Sequence, residues 1–459
     1  MSRRRRRAHA AFYALIVGLL AIGCGHDGPT DPPSDPGPTV PLAGGAATVF
    51  NATSSAYTLP APNLAAGSLD RHFAGDAAFE AAYVTAPAVV QSGLGPAFNE
   101  TSCAGCHVRN GRGRESMLFR ISAPGRDAVS GGPMPLPGFG GQLQQRAVFG
   151  AAPEARIEVD WLYIDRLYDD GSPYSMRWPT YRAQGITRPI PSSRLLSPRV
   201  GPPVFGLGLI EAISEETLLE LAARPDTSGD GVSGRVNYVW DVERQERVIG
   251  RFGWKASEPD LVQQSAHAFQ EDMGVTSPIF PRESTADQPE YDDSLPDDPE
   301  ISRETVELAA FYLQTLGVPA RRKVDDPQVR AGEQLFAQAG CVACHVARIV
   351  TGAHPTVSEM SHQVIHPYSD FLLHDMGAAL DDGRNDFDAN PSEWRTPPLW
   401  GVGLLETVNG HVELMHDGRA RGFLEAIVWH GGEAEAAKQR VLGMSQSERL
   451  ALVAFLRSL

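Results

Sequence analysis

The pentapeptide pattern Cys-x-x-Cys-His occurs twice in this chain of 459 residues, as Cys103-Ala-Gly-Cys106-His107 and as Cys341-Val-Ala-Cys344-His345. This spacing is the attachment signal of a c-type haem, in which two thiols bond to the porphyrin and the adjacent histidine binds the iron. A chain with this pattern must fold around a large, planar and mostly apolar group. The two motifs therefore predict two covalently bound haem c groups, attached through these four cysteines, with His107 and His345 as axial ligands.

Other uses of a Cys-x-x-Cys pair are a disulfide, a redox pair or half of a zinc site. Zinc ribbons usually carry their two pairs about 15–20 residues apart, whereas these two pairs are separated by most of the chain. A thioredoxin-like pair would require a βαβ setting, which neither motif has. The histidine that follows both pairs, and the use of four of the five cysteines in them, favour haem.

The length of the chain allows two or three ordinary domains. The formal net charge of −16 argues against nucleic acid as a partner, because a polyanion would be repelled. We therefore expect no nucleic-acid binding.

The N-terminus has the features of an export signal. Residues 3–7 are arginines, and residues 11–22 form an apolar stretch too short to span a bilayer comfortably. The stretch ends in Leu20-Ala21-Ile22-Gly23-Cys24, which is typical of a bacterial lipobox. We predict a lipoprotein signal peptide over residues 1–24, with Cys24 lipidated. An ordinary signal peptide, or an uncleaved anchor in which Cys24 is incidental, is the alternative.

Residues 25–75 include a tract rich in Pro and Gly that is predicted to be an extended tether, because such a composition buries little apolar surface. The expected protein is thus an exported bacterial lipoprotein that faces the periplasm or the cell surface. Its contact with the membrane would be through the lipid anchor only.

The two halves of the remaining chain share more than the haem motif. Residues 202–211, which begin Pro-Pro-Val-Phe-Gly, correspond to residues 397–406, which begin Pro-Pro-Leu-Trp-Gly. Each half ends in a predicted amphipathic helix, over residues 305–316 and from Ser445, where Glu448 completes a capping box. A further helix is predicted to begin near Asp326-Pro327.

These repeats predict a mainly α fold of two tandem cytochrome c-like domains, residues 76–322 and residues 323–459. The first domain would be enlarged by a loop-rich insertion between its haem motif and its Pro-Pro segment. Alternation in the sequence from Arg156 predicts a β-hairpin within that insertion.

The motifs of residues 76–459 resemble those of the di-haem cytochrome c peroxidase superfamily. The similarity is greatest to the subgroup of di-haem oxidoreductases often labelled "thiol oxidoreductases". The most specific segments, besides the second haem motif, are His374-Asp-Met-Gly377, Asp382-Gly-Arg384, Trp394-Arg-Thr-Pro-Pro-Leu399 and His416-Asp-Gly-Arg419. The label "thiol oxidoreductase" gains no support, because the four paired cysteines are used by haem and Cys24 by lipid.

The resemblance implies a distal ligand for the second haem after the His-Asp-Gly segment, where the peroxidases usually have methionine. Here His430 occupies that position, so the resemblance implies His345 and His430 as the two ligands of that iron. Two histidine ligands give a lower potential than a His/Met pair. Met376 is the competing ligand, and a non-ligating role for His430 also remains open. His374 and His416 are expected to be hydrogen-bonding or propionate-side residues rather than ligands.

The resemblance also implies roles for two residues of the first half. Trp254 would lie between the haems, and Asp272 would be the acid of a peroxide pocket, although the peroxidases have Glu there and a longer spacing. The alternatives are a core aromatic for Trp254 and a helix-end residue for Asp272. Met273 or His267 would block peroxide if either bound the first iron.

From these residues we expect a haem-dependent, peroxidase-like oxidoreductase, with the first haem as reaction centre and the second as electron-transfer centre. The expected partners are hydrogen peroxide and a protein that donates or accepts electrons. The alternative is a pure electron-transfer cytochrome with both irons six-coordinate. The segment Asp226-Thr-Ser228-Gly-Asp230-Gly231 has the first half of a calcium loop without the closing Glu, so a turn is favoured there over calcium.

Overall fold

The structure, a computed structural model, describes residues 41–114, 117–225, 229, 231–285, 287–291, 295–296 and 298–459. About 30% of the chain is helical and 20% lies in strands, so the prediction of a mainly α fold is wrong and the fold is mixed α and β. No helix among the described residues is both long and apolar enough to cross a membrane.

The α-helices of the described residues have these bounds: α1 Ala66–Glu80, α2 Cys103–Cys106, α3 Leu207–Glu211, α4 Glu215–Ala222, α5 Leu261–Met273, α6 Arg303–Thr315, α7 Pro327–Gln338, α8 Leu405–Asn409, α9 Phe423–Trp429, α10 Glu435–Leu442 and α11 Gln446–Ser458. Short 3-10 turns connect several of them, and one of these, Cys341–Ala343, holds part of the second haem motif.

The strands of the described residues are β1 Thr48–Val49, β2 Ala97–Phe98, β3 Met117–Arg126, β4 Pro133–Met134, β5 Gln142–Leu143, β6 Arg146–Ala147, β7 Arg156–Leu167, β8 Pro173–Gln184, β9 Leu195–Val200, β10 Tyr238–Asp241, β11 Glu246–Ile249, β12 Val318–Pro319, β13 Ile349–Val350, β14 Val364–Ile365, β15 Leu373–Asp375 and β16 Glu393–Arg395. They form small sheets of two strands and one sheet of four, in which β3 pairs with β4, β5 and β9.

The insertion after the first haem motif explains why the fold is not mainly α. It contains β3 to β9, and its longest part is an antiparallel hairpin in which β7 and β8 pair from Arg156 with Gln184 to Leu167 with Pro173. The hairpin predicted from Arg156 is therefore present. Several other strands are only two residues long. Such short strands have no detectable period in the sequence, so they could not be predicted from it.

The helices at the ends of the two halves begin and cap as the sequence indicates. Ser302 caps α6 by accepting a hydrogen bond from the Thr305 amide. Asp326 caps α7, which starts at Pro327. Ser445 and Glu448 form the predicted capping box of α11. In the first half α1 packs on α6, and in the second α7 packs on α11.

The two Pro-Pro-x-aromatic-Gly segments contact each other. Gly206 has φ 72° and Gly401 has φ 71°, in the region that glycine adopts most readily. A Cβ atom on Gly206 would lie 2.8 Å from Cζ2 of Trp400, and one on Gly401 would lie 2.5 Å from Cζ of Phe205. Each glycine therefore makes room for the aromatic ring of the other half.

The largest apolar core draws residues from both sides of the predicted boundary at residue 322. Phe205 and Leu209 precede that boundary, Ile365 and Trp400 follow it, and all belong to one buried cluster. The described residues fall within one compact unit, residues 36–459. The division into two tandem domains stays a prediction.

Residues 41–75, the later part of the predicted tether, are packed against the rest of the chain. Strand β1 pairs in parallel with β12, joining Thr48 to Val318. The side chains of Ala47 and Tyr57 are fully buried. The folded unit therefore begins earlier than the expected residue 76, because these apolar residues are covered by segments distant in the sequence.

Candidate functional site

Both Cys-x-x-Cys-His motifs open onto one cavity of about 760 Å³. This volume lies in the range of about 300–1,000 Å³ that is typical of pockets for small molecules and cofactors. The four cysteines and two histidines of the motifs line it together with Pro, Leu, Phe and Trp side chains. The structure therefore brings two motifs that are far apart in the sequence to one apolar cavity.

The first motif is held by α2 and its cap. The Ser102 hydroxyl accepts a hydrogen bond from the Gly105 amide at 3.1 Å. A Cβ atom at Gly105 would lie 2.3 Å from Cγ of Glu100, so the motif needs glycine here. The second motif follows α7 directly, where Gly340 with φ 84° turns the chain into the 3-10 turn Cys341–Ala343.

The histidine of each motif is oriented by a backbone carbonyl. Nδ1 of His107 lies 2.8 Å from the Pro202 carbonyl oxygen, and Nδ1 of His345 lies 2.9 Å from that of Tyr368. A carbonyl accepts only, so Nδ1 carries the proton and Nε2 remains as the metal-binding nitrogen. Burial lowers the pKa of His107, and it lowers the pKa of His345 to about 4. Both imidazoles are therefore neutral, as a metal ligand requires.

His430 lies at the end of α9 and lines the cavity with His345. Its Nδ1 lies 2.8 Å from the Ala426 carbonyl oxygen, which leaves Nε2 as the metal-binding nitrogen here too. The pKa of His345 is lowered by burial first and also by electrostatic interaction with His430, so the two imidazoles are neighbours. Met376, the competing ligand, lines the same cavity. The pairing of His345 with His430 on one iron stays a prediction.

His374 is engaged at both ring nitrogens. Nδ1 lies 2.8 Å from a Glu433 carboxylate oxygen and Nε2 lies 2.9 Å from one of Asp370. Burial opposes a charge on His374, but these carboxylates outweigh it and raise its pKa to about 12. A protonated imidazole does not bind metal, so this ring serves as a hydrogen-bonding group 3.6 Å from Sγ of Cys344.

His416 is buried and stacks on Trp394, with ring centroids 3.7 Å apart and an angle of 9° between the planes. Burial lowers the pKa of His416 to about 3, so its imidazole is neutral. Its backbone carbonyl accepts a hydrogen bond from Val200.

Asp272 lies at the end of α5 and lines the cavity on the side of the first motif. Its Oδ1 accepts a hydrogen bond of 2.7 Å from Nε2 of Gln142 in β5. Its charge acts on both Cys103 and His107, which places the carboxylate near the first haem motif. Burial raises the pKa of Asp272, and Arg120 opposes this rise. A raised pKa is a property of carboxylates that transfer protons.

His267, which the sequence analysis named only as a possible iron ligand, pairs with carboxylates near Asp272. The sequence analysis assigned no role to Glu258, Glu271 or Arg120. Nδ1 of His267 lies 2.6 Å from a Glu258 oxygen, and Nε2 lies 3.9 Å from a Glu271 oxygen. Arg120 lies 3.8 Å from Glu271. Burial opposes a charge on His267, but Glu258 and Glu271 raise its pKa to about 9. Only the spacing of His267 and Glu271, four residues apart on one helix, could have been found in the sequence.

Two other candidate residues of the first half also line the cavity. Met273 does so while it packs among the buried apolar residues of α5 and α6. Trp254 is buried, and its Nε1 donates a hydrogen bond of 2.8 Å to the Val200 carbonyl. The guanidinium of Arg112 lies 5.1 Å from the centroid of the Trp254 ring. The role of Trp254 between two haems stays a prediction.

The wall of the cavity also has cations suited to the carboxylates of a haem. Buried Nε atoms of Arg112 and Arg384 have no hydrogen-bond partner among the described residues. Arg384 belongs to a buried cluster of three cations, with Arg199 and Lys255, against the two carboxylates of Asp382 and Asp386. Unpaired buried donors and an excess of positive charge favour an anionic group in the cavity. Thiols, neutral imidazoles, an apolar wall and these arginines together fit haem.

Two predicted sites fall outside the described residues. One is the lipidation site Cys24, and the other is the candidate calcium segment, where Asp226, Thr227, Ser228 and Asp230 are not described. Both stay predictions.

Comparison with known proteins assigns the family. No curated protein is significantly similar to the chain. Residues 39–121 and 121–459 match the family described as "Di-haem oxidoreductase, putative peroxidase", which is the subgroup that the motifs resemble. The chain belongs to this family of di-haem oxidoreductases.

Proposed function

We propose that this di-haem oxidoreductase is peroxidase-like and holds both haems as covalent haem c. In this proposal the site of Cys103, Cys106 and His107 reacts with hydrogen peroxide, and the site of Cys341, Cys344 and His345 transfers electrons. The observation that carries the proposal is an asymmetry of the cavity. Near the first motif lies Asp272, a partly buried carboxylate with a raised pKa, whereas near the second lies His430, an imidazole suited to fill a sixth position.

The haem, when bound, supplies the redox chemistry, and the chain supplies orientation and proton transfer. Gln142 fixes Oδ1 of Asp272 by its hydrogen bond, so the other carboxylate oxygen takes the proton from peroxide and returns it to the leaving oxygen. The raised pKa brings Asp272 nearer to the working pH, which favours transfer in both directions. The protonated imidazole of His267 interacts with the carboxylates of Glu258 and Glu271 and fixes their positions.

A pure electron-transfer cytochrome is the second candidate. The position of Met273 supports it, because this thioether lines the cavity next to Asp272 and would close the first site if it bound the iron. In that case both irons would be six-coordinate and Asp272 would have only a structural role.

The proposal includes export, with residues 1–24 as signal peptide and Cys24 as the lipid-bearing first residue of the mature chain. The sequence of the N-terminus supports this part. The expected partner is a protein that donates or accepts electrons, and the only expected contact with the membrane is the lipid. Calcium is not included, because most of the candidate loop is not described.

The proposal is tested by an optical and EPR titration of the holoprotein with reductant and hydrogen peroxide. We expect a high-spin ferric component that changes on addition of peroxide. Asp272→Asn should slow the reaction with peroxide by about 10²-fold, the lower bound of the contribution of a general acid–base group. Asp169→Asn is the control, because Asp169 lies exposed in the turn between β7 and β8.

A wholly low-spin spectrum that does not respond to peroxide or cyanide would exclude the peroxidase and support the carrier. An Asp272→Asn variant that reacts as fast as the native protein would remove Asp272 from the proposed mechanism.

A further inference from the structure

Two tryptophans in contact lead from the residue before His430 to the surface of the molecule. Trp429 directly precedes His430 at the end of α9 and is 2% exposed. Its ring contacts that of Trp178 in β8, with centroids 5.2 Å apart and an angle of 53° between the planes. Trp178 is 40% exposed. A continuous aromatic contact therefore runs from the neighbour of His430 to solvent.

The contact between the two rings is fixed by hydrogen bonds on either side of it. The backbone amide of Arg177 donates to a Glu425 oxygen at 2.9 Å, and Glu425 lies one turn before Trp429 on α9. Nε of Arg177 donates to the Arg419 carbonyl at 2.9 Å. The guanidinium of Arg419 packs 4.6 Å from the centroid of Trp429 and 5.9 Å from that of Trp178. These hydrogen bonds thus hold the hairpin against α9, the helix that ends just before His430.

Burial of the Trp429 indole has a free-energy cost that a purely apolar side chain would not have. Its Nε1 is buried and has no hydrogen-bond partner among the described residues. A buried donor without a partner costs about 1–3 kcal/mol, and a smaller apolar side chain such as Phe or Leu would avoid that cost. The extended π system of the indole is what those residues lack.

We infer that Trp178 and Trp429 form the path by which an electron from a one-electron reductant at the β7–β8 hairpin reaches the second haem site. This inference rests on the proposed function, in which that site is the electron-transfer centre. The reductant loses one electron and the ferric iron held by His345 gains it. No bond forms or breaks, and both indoles end unchanged. The rate of electron tunnelling falls steeply with distance through saturated side chains, so aromatic rings in contact favour this route.

The test injects electrons at the hairpin of the holoprotein. Thr180→Cys provides an exposed attachment site on the same strand face as Trp178 for a ruthenium polypyridyl photoreductant. Reduction of the second haem is then followed by absorbance after a laser flash. We expect severalfold slower reduction in Trp178→Leu and in Trp429→Leu, and partial recovery in Trp429→Phe.

The matched control is Trp161→Leu. Trp161 lies on the same hairpin, and the guanidinium of Arg177 lies 4.0 Å from the centroid of its ring. Trp161 is not part of the contact between Trp178 and Trp429. This variant should keep the native rate. Optical spectra and melting temperatures of all variants separate a changed path from a changed ligand set or a less stable hairpin.

Two outcomes would overturn the inference, and they differ. Native rates in both Trp178→Leu and Trp429→Leu, with intact spectra, would remove the path and leave the proposed function standing. A pyridine haemochrome assay that finds one haem per chain would remove the electron acceptor and the proposed function together.

Discussion

The surroundings of the two haem motifs differ, although the motifs themselves are nearly the same. The first motif faces carboxylates and a charged histidine, Asp272, Glu271 and His267, with Arg120 beside them. The second faces the neutral imidazole of His430. The charged histidine of the second site, His374, has both ring nitrogens held by carboxylates. The two motifs therefore repeat, while the groups that each of them faces do not.

In the proposed function, this difference would let one repeated unit serve two purposes. The two halves share the way in which the histidine is oriented: a backbone carbonyl, of Pro202 in one half and of Tyr368 in the other, accepts a hydrogen bond from Nδ1. The groups that differ are His267, Glu271 and Asp272 of α5 near the first motif and His430 at the end of α9 near the second. Four predictions test the comparison, in order of decreasing effect.

The largest effect is expected from removal of one pair of cysteines. Cys103→Ala with Cys106→Ala, and Cys341→Ala with Cys344→Ala, should each leave one covalent haem per chain, as measured by intact mass and pyridine haemochrome. Only the first pair should abolish the high-spin species that responds to peroxide. Loss of that species in the second pair would reverse our assignment of the two sites.

Removal of the His430 imidazole should change the spin state of the second site alone. In His430→Ala the low-spin ferric signal of that site should become high-spin, because its iron loses a strong ligand. EPR of the oxidised protein measures this change. His362→Asn is the control: His362 is exposed with φ 55°, a conformation that Asn tolerates. An unchanged signal in His430→Ala would favour Met376 as the ligand.

The charged histidine of the first site should make stability depend on pH. Glu258 and Glu271 overcome the effect of burial and raise the pKa of His267 to about 9, above its ordinary value of 6.5. Its stabilisation is thus complete below pH 6.5 and is lost as the pH rises through about 9. We expect a loss of about 1–3 kcal/mol in the free energy of unfolding over this interval.

Denaturant unfolding of the holoprotein at the two ends of the interval measures this loss. His267→Gln should flatten the dependence, and Glu258→Gln should do so in part, because Glu258 is the nearer carboxylate. A native-like slope in His267→Gln would assign the dependence to another group.

The smallest effect is expected at Trp254, which is predicted to lie between the two haems. Trp254→Phe keeps an aromatic ring but loses the hydrogen bond to Val200. Electron equilibration between the two haems after flash reduction should slow by severalfold or less, whereas Trp161→Phe should leave it unchanged. Equal rates in the native protein and Trp254→Phe would favour the reading of Trp254 as a core aromatic.

Local signals in the sequence predicted the parts of the fold that depend on near neighbours. The caps of α7 and α11, the hairpin from Arg156 and the helix at residues 303–315 all appear where the residue pattern indicates. The mainly α class was wrong because β3 to β9 fill the insertion, and the shortest strands depend on partners that the sequence does not reveal. The packing of residues 41–75 was missed for the same reason.

The sequence by itself determined where haem attachment is predicted, because two thiols and an imidazole within five residues need no other part of the chain to define a haem motif. Only the tertiary structure decided what each motif faces. Gln142 and Asp272 are 130 residues apart, and Trp178 and Trp429, whose rings are in contact, are separated by more than half the length of the chain. These contacts arise from packing of distant segments, so the pKa shifts and ring contacts that they produce cannot be inferred from any local pattern.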